Sequence, residues 1–335
     1  MKATLAALAL LCSPAVRGEE IRIELSRGAA SARLGGHLIA AAGAGLVVDG
    51  KPAQAPYVIE SGARLDGREL PGRVDVFTDK GALVVVNTLD LEDYVAAVVS
   101  SEVPASWPDE ALRAQAVAAR TFAVAQKIAQ GPGARAHLRS TVVDQVYAGA
   151  ARPASGALKA ARATAGEVLT FGAAPIAAYF SASCGGRSES GEGGFNLAPG
   201  TTPYLVPSAP DPDERPWTVR IPLREVERAL HARLPGRVTS VAVAARSPSG
   251  RARTVRLSGR ALPAVELRQL LGYERLPSLL FDVHVAGGVA VFTGRGSGHG
   301  VGLCQYGARE WAKRGENYVA ILAHYYPGAE IRRMY

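Results

Sequence analysis

The stretch VVSSEVPASWPDEALRAQAVAARTFAVAQ, residues 98–126, places one carboxylate where chemistry can use it. Glu102 closes an apolar helical run and is followed by Val103, Pro104 and Trp107. An acid that cleaves a glycosidic bond must hold a proton near neutral pH, and apolar neighbours favour that. The plain alternative is a solvated glutamate at a helix end. Arg120 is the second unusual residue. It lies on an apolar helical face with Ala116, Val117 and Val124, where a guanidinium needs a carboxylate or a ligand. Structural pairing, for example with Asp144, and contact with a substrate are both open at this point.

GRGSGHGVGLCQYG, residues 294–307, has glycine at alternate positions and His299 at its centre. Its spacing matches neither a dinucleotide fingerprint, a P-loop nor a nucleophile elbow. Alternating glycines let the backbone approach a ligand or another segment closely. His299 reads as an acid/base helper, a ligand donor or a packed histidine. The six histidines are scattered, with neither HExxH nor CxxC, so no metal and no cofactor are expected.

These residues sit on elements with legible signals. Residues 20–90 alternate in the strand manner between Gly, Asp-Gly and Pro turns. From Asp90, a plausible N-cap, Leu91, Tyr94, Val95, Val98 and Val99 fall on one helical face. After the break at Glu102–Pro108, a second helix starts with Asp109 and Glu110 and stops at Gly131-Pro132-Gly133. Residues 217–290 alternate short strands with a helix, and a closing helix is expected at NYVAILAHYYPG. The reading is a mixed α/β (α+β) fold: a β-rich region over 19–89 and a domain over 90–335, with 215–290 as an inserted basic, β-rich subdomain.

The chain has 335 residues, 48% of them hydrophobic, enough for a sizeable core. Residues 1–18, MKATLAALALLCSPAVRG, have the lysine, short apolar run and small residues of a secretory signal peptide. No later segment reads as transmembrane, so the expected location is exported, in the periplasm or cell envelope. Removal of Cys12 leaves Cys184 and Cys304, which in an oxidising compartment read as a disulfide, two buried thiols or half of a nucleophilic site. The net charge is +8, and Arg215–Arg275 holds thirteen arginines against four glutamates. Aromatic residues for base stacking are nearly absent there, so nucleic acid is excluded as a partner in favour of anionic envelope polymer.

Together these segments resemble the SpoIID/LytB family, the group of stage II sporulation protein D and the amidase enhancer. LEDYVAAVVSSEVPASWPDEALRAQAVAARTFA, DQVYAG, AYFSASCGG, PYL, GHGVGLCQYGA and YVAILAHYYPG occur in the family's order, over about residues 85–335. The resemblance implies a lytic transglycosylase acting on peptidoglycan glycan strands stripped of stem peptides, giving 1,6-anhydro ends. It puts the family's catalytic acid on Glu102 and its activity-linked arginine on Arg120. On this reading Arg120 holds a substrate carboxylate or the local geometry of the acid, His299, Gln305 and Tyr306 line the groove, and Tyr179 and Ser183 approach it from the other motif. Some members bind zinc through a cysteine pair just before QVY; here that stretch is HLRSTVVDQVY, without a thiol. Cys184 and Cys304 stand where serine is usual, in two motifs expected to converge, which strengthens the disulfide expectation. Two rivals remain: a non-catalytic wall-binding module partnering a cell-wall amidase, and a thiol hydrolase using Cys184 or Cys304 with His299.

Overall fold

A computed structural model describes residues 19–140, 147, 153–208 and 210–335. The expected signal peptide, Asp144 and most of DQVYAG lie outside the described residues. The fold is mixed α/β, as expected.

The N-terminal strands form a five-stranded sheet in the order Leu138–Arg139, Glu20–Arg27, Ala82–Asp90, Arg73–Asp79, Tyr57–Ile59. Ala82–Asp90 is hydrophobic almost without alternation (ALVVVNTLD) because both of its faces are covered. Val85 and Leu83 pack with Leu34, Ile39 and Leu46 of a four-stranded antiparallel sheet, whereas Leu89 joins Ile21 and Ile23 against the helices.

Ala82–Asp90 runs directly into α1, Leu91–Glu102. The Asp90 carboxylate accepts from the backbone N–H groups of Glu92 and Asp93, as its N-cap position predicts. The helix stops because Pro104 forces the preceding residue into an extended conformation: Val103 has φ −138° and ψ 147°. Glu102 is thus the last residue of α1 rather than part of the break. The second helix, α2, spans Asp109–Gln130, carries Asp109 and Glu110 in its first turn, and ends at Gly131 with φ 79°. Its alanines at 111, 114, 116, 118, 119 and 123 are all buried, and so small a surface lets several elements approach at once. Four helices pack on it: α1, α3 (Ser155–Ala163), α7 (Gln305–Lys313) and α8 (Tyr318–Tyr325); the short α4 (Gly191–Phe195), α5 (Leu223–Leu230) and α6 (Ala264–Leu271) come between α3 and α7 in the chain.

Two local pairings matter for the site. Phe180–Ser181 lies parallel to Leu303–Cys304, which brings the SASC and GLCQY segments together. Pro216–Pro222 pairs with Val289–Arg295, so the basic segment closes on itself around its own core, including Ile221, Val226, Leu257, Leu267 and Phe292.

Arg120 is fully buried on α2. Its Nε and Nη2 donate to the two carboxylate oxygens of Glu92 in the first turn of α1. Nη2 also donates to Ala161 O at 3.0 Å and Nη1 to Glu167 O at 3.2 Å, so one side chain joins α1, α2, α3 and the strand Glu167–Phe171. Burial pushes the Glu92 carboxyl up, but its bonds to Arg120, Tyr335 and the Gly166 N–H outweigh this and hold it below its usual value of 4.5.

Removing one member of such a pair strands the other. Arg120→Met is therefore expected to cost roughly 3–5 kcal/mol of stability in denaturant unfolding. Because the folded carboxyl has the lower pKa, the stabilisation is full above about 4.5 and disappears as the pH falls through the depressed value. Acid unfolding of Glu92→Gln should lack this component; an acid limb identical to wild type would contradict the clamp.

Candidate active site

Glu102 faces the start of α7. The Gln305 carboxamide donates to Glu102 Oε2 at 3.3 Å and lies 3.4 Å from Gln115 Oε1 on α2. Gln115 is 1% exposed, and its Nε2 has no partner among the described residues. Three elements thus converge on the carboxylate: the C-terminal end of α1, the buried face of α2 and the first residue of α7.

An aromatic wall stands beside this group. The turn after Pro104 presents Trp107, whose ring meets that of Tyr306 edge-on with centroids 4.9 Å apart. The Arg215 guanidinium lies 3.2 Å from the Tyr306 ring centre, and that of Arg309 lies 5.7 Å from Trp107 and 5.9 Å from Tyr306. Arg215 adopts φ 38°, unusual for a non-glycine residue, and its Nε is 3.4 Å from Asp213 Oδ1. The arrangement offers a carboxyl group for proton transfer, amides for hydroxyls, ring faces for stacking and two cations for an anion.

The expected site residues divide. Gln305 and Tyr306 are brought to Glu102 and Trp107. Arg120 is not: its carboxylate partner Glu92 is ten residues before Glu102 on α1, roughly 15 Å along the axis. The expected substrate contact is thereby corrected to a clamp between helices in which Glu92 is the acid. Ser183 is 1% exposed and donates to Asp213, so it faces inward. Tyr179 packs against Phe122, Phe195 and His299, in an aromatic cluster. Phe122 is seven residues beyond Gln115, roughly 10 Å further along α2. His299 is partly buried beside Tyr179 and Phe195: Nδ1 accepts from Val301 N–H at 3.0 Å, and desolvation lowers its pKa to about 4 despite a backbone bond to Phe180.

Cys184 and Cys304 are two free, fully buried thiols, so the expected disulfide is corrected. Cys304 Sγ instead accepts the N–H of Gly307 at 3.3 Å, capping α7, and that of Cys184 at 3.1 Å. Burial pushes the Cys304 thiol well above its ordinary range, and its partners are not His299. That removes the support for a thiol nucleophile. The zinc place of some relatives does not fit this chain either: both ring nitrogens of His137 are taken by Arg22, and no cysteine accompanies it.

Gln115, Arg215 and Arg309 escaped the sequence reading. Arg215 carried a signal only as part of the basic segment, and Gln115 only as a polar residue in an alanine run.

The His299 environment has a measurable consequence. Its ring should titrate near 4 by NMR, far below the ordinary 6.5. An unfolded chain takes up that proton first, so stability from this residue is full above about 6.5 and falls as the pH drops towards 4. A midpoint near 6.5 in the folded protein would contradict the packed placement.

Comparison with known proteins agrees with this geometry in extent. The family model described as "Stage II sporulation protein" matches residues 79–171, which include Glu102, Gln115 and Arg120. An uncharacterised protein of Brachyspira hyodysenteriae is 33% identical over 82% of this chain and 75% of its own length. The stage II sporulation protein D of Bacillus amyloliquefaciens is 31% identical over 81% of each chain. The amidase enhancer of Bacillus subtilis is 27% identical over 70% of this chain and 39% of its own length. With relatives of this identity spanning most of its length, the chain belongs to the SpoIID/LytB family of stage II sporulation protein D.

Proposed function

We propose that this protein remodels the cell wall as an exported lytic transglycosylase that cleaves peptidoglycan glycan strands stripped of stem peptides. The observation that carries the reading is the placement of Glu102 at the end of α1 with the Gln305 amide on its carboxylate and the Trp107–Tyr306 wall beside it. The last turn of α1 contains no basic residue. The negative end of the helix dipole lies there, which suits a group that must begin as a proton donor. Glu102 would protonate the bridging oxygen and then, as base, take the proton of the sugar's own 6-hydroxyl as that oxygen attacks C1. The 1,6-anhydro product forms without a positioned water, so the second carboxylate of ordinary glycoside hydrolases is not required. Gln305 orients the acid, and its amide also donates to Gln115 Oε1 on α2. A strand without stem peptides carries free lactyl carboxylates, and Arg215 and Arg309 over the aromatic wall suit such anions.

The decisive experiment is Glu102→Gln on denuded glycan, with mass spectrometry of the products. The variant should fold normally and still bind, while release of 1,6-anhydro ends falls by roughly two orders of magnitude or more. Asp109→Asn is the control, since that acid is half exposed in an ion pair with Lys159 that contributes little, and activity should stay near wild type. Arg309→Gln should raise KM more than it lowers kcat. The amidase enhancer among the relatives favours one second reading, a non-catalytic module that stimulates a wall amidase. Full turnover by Glu102→Gln, or no anhydro product from wild type, would replace the first reading with the second.

Retention on the wall is the expected task of the basic segment. From Arg215 to Arg275, all its arginines except Arg251, Arg260 and Arg268 are solvent-exposed. Binding to purified sacculi should weaken steadily with added salt, because exposed charges are screened. Salt-independent binding would contradict this role.

A further inference from the structure

Just behind the first turn of α7 lies a cluster that the glycan chemistry does not use. The sulfur atoms of Cys184 and Cys304 and a carboxylate oxygen of Asp211 all lie within 4.8 Å of one another. The three residues are 0%, 0% and 5% exposed. They come from three segments: the stretch after the strand Phe180–Ser181, the N-cap of α7, and the loop before Pro216.

The electrostatics of the cluster are unbalanced. Asp211 accepts hydrogen bonds from the Tyr325 hydroxyl and from Asp213 N–H at 2.9 Å, but has no ion pair among the described residues. Asp213, a second buried carboxylate, sits 3.7 Å from Cys304 Sγ and leans on the half-exposed Arg215. Among the described residues, Asp211 and Asp213 thus have one cation in ion-pair range, the partly exposed Arg215, while the buried Arg251 guanidinium donates to the Cys184 carbonyl oxygen instead; a buried carboxylate without a cation is costly. The sulfur of Cys304 meanwhile accepts two backbone N–H groups, from Cys184 and Gly307, at a helix N-terminus. Those donors would suit a metal-bound thiolate, although without a metal burial outweighs them and keeps the thiol protonated. The carboxylate also packs directly on the first turn of α7: a Cβ on Gly307 would lie 2.4 Å and 2.5 Å from the two Asp211 carboxylate oxygens.

We propose that Cys184, Cys304 and Asp211 form a structural site for a thiophilic divalent cation of the Zn²⁺ class. A tetrahedral zinc with Zn–S near 2.3 Å and Zn–O near 2.1 Å sets its ligands roughly 3.6–3.8 Å apart, within the observed envelope. Two sulfur donors select against Mg²⁺ and Ca²⁺, which take oxygen. On binding, the two thiol protons leave to solvent, two S–metal bonds and one O–metal bond form, and no oxidant is needed. Asp213 stands beside the Cys304 sulfur, 3.7 Å away. The site is distinct from the one that some relatives build before the QVY motif. Its effect on the groove is mechanical: the residue after Cys304 is Gln305, so the ion would tie the start of α7 to two other segments and hold the amide on Glu102.

Cobalt(II) is the probe for the full-length protein purified with reductant and stripped of metal. About one equivalent should bind with a near-ultraviolet thiolate-to-cobalt charge-transfer band, and zinc should displace it and raise Tm. Cys304→Ser and Cys184→Ser should each abolish or strongly shift the band, and Asp211→Asn should weaken binding roughly tenfold or more. Should these variants fold poorly, the wild type still decides: zinc must slow alkylation of both thiols, and a chelator must restore it. Absence of stoichiometric cobalt, an unchanged band in both cysteine variants, or a Cys184–Cys304 disulfide that forms in preference to metal binding would each overturn the site. Glu102→Gln should show the wild-type band, so failure of the metal site and failure of the glycan reading remain distinguishable.

Discussion

A guanidinium buried in the middle of an alanine-rich helix must be neutralised where it lies, and much of this molecule follows from how Arg120 is satisfied. Glu92 can reach it only if the first turn of α1 docks on the centre of α2. The carbonyls of Ala161 and Glu167 can reach it only if α3 and the following strand close over the same point. A wrong docking of α1 therefore leaves a charge without partners, a far larger penalty than a shifted methyl group. With its first turn fixed, α1 runs twelve residues to a fixed end, and Glu102 is that end. Arg120 thus bears on Glu102 from a distance, by fixing the helix that carries it.

The acid's other coordinate comes from α7. Cys304 caps that helix with its sulfur, while Phe180–Ser181 pairs in parallel with Leu303–Cys304. These restraints determine where Gln305 begins and so where its amide stands relative to Glu102. The aromatic wall depends on both anchors, because Trp107 belongs to the turn after α1 and Tyr306 to α7. Arg215 then joins the wall from the edge of the basic insertion, held by Asp213. A shift of either helix would separate the carboxyl from its amide and the indole from the phenol together.

Local chemistry made part of this legible in the sequence. Asp90 caps α1, Pro104 ends it, and Gly131 ends α2, because each acts on its own backbone within a few residues. Glu102, Gln305 and Tyr306 were identified because they sit in motifs. The partners across the fold were not legible. Glu92 lies 28 residues from Arg120, and nothing local marks it as the counterion. Ser183, Tyr179 and His299 were assigned to the groove, but the pairing there involves strands of two residues, too short to show which side chains face inward. The cysteines were read as a covalent pair because counting thiols reveals parity but not the hydrogen bonds that each sulfur accepts.

The alternating glycines show how one pattern admits two physical explanations. Such a run suits a backbone pressed against a ligand, but the neighbours here are protein. A Cβ on Gly302 would lie 2.1 Å from the carbonyl oxygen of Tyr179, and one on Gly300 would lie 2.0 Å from the guanidinium of Arg251. Both positions also have positive φ, so a side chain would meet strain as well as overlap. Arg251 itself is buried, reaching from the basic insertion to the carbonyl oxygens of Cys184 and Arg187. The glycines therefore make a seam in which three stretches of chain lie closer than side chains permit. Because that seam ends at Cys304, any slack in it would pass directly to Gln305. Tight packing without a ligand in the glycine run thus fixes the amide one residue beyond it.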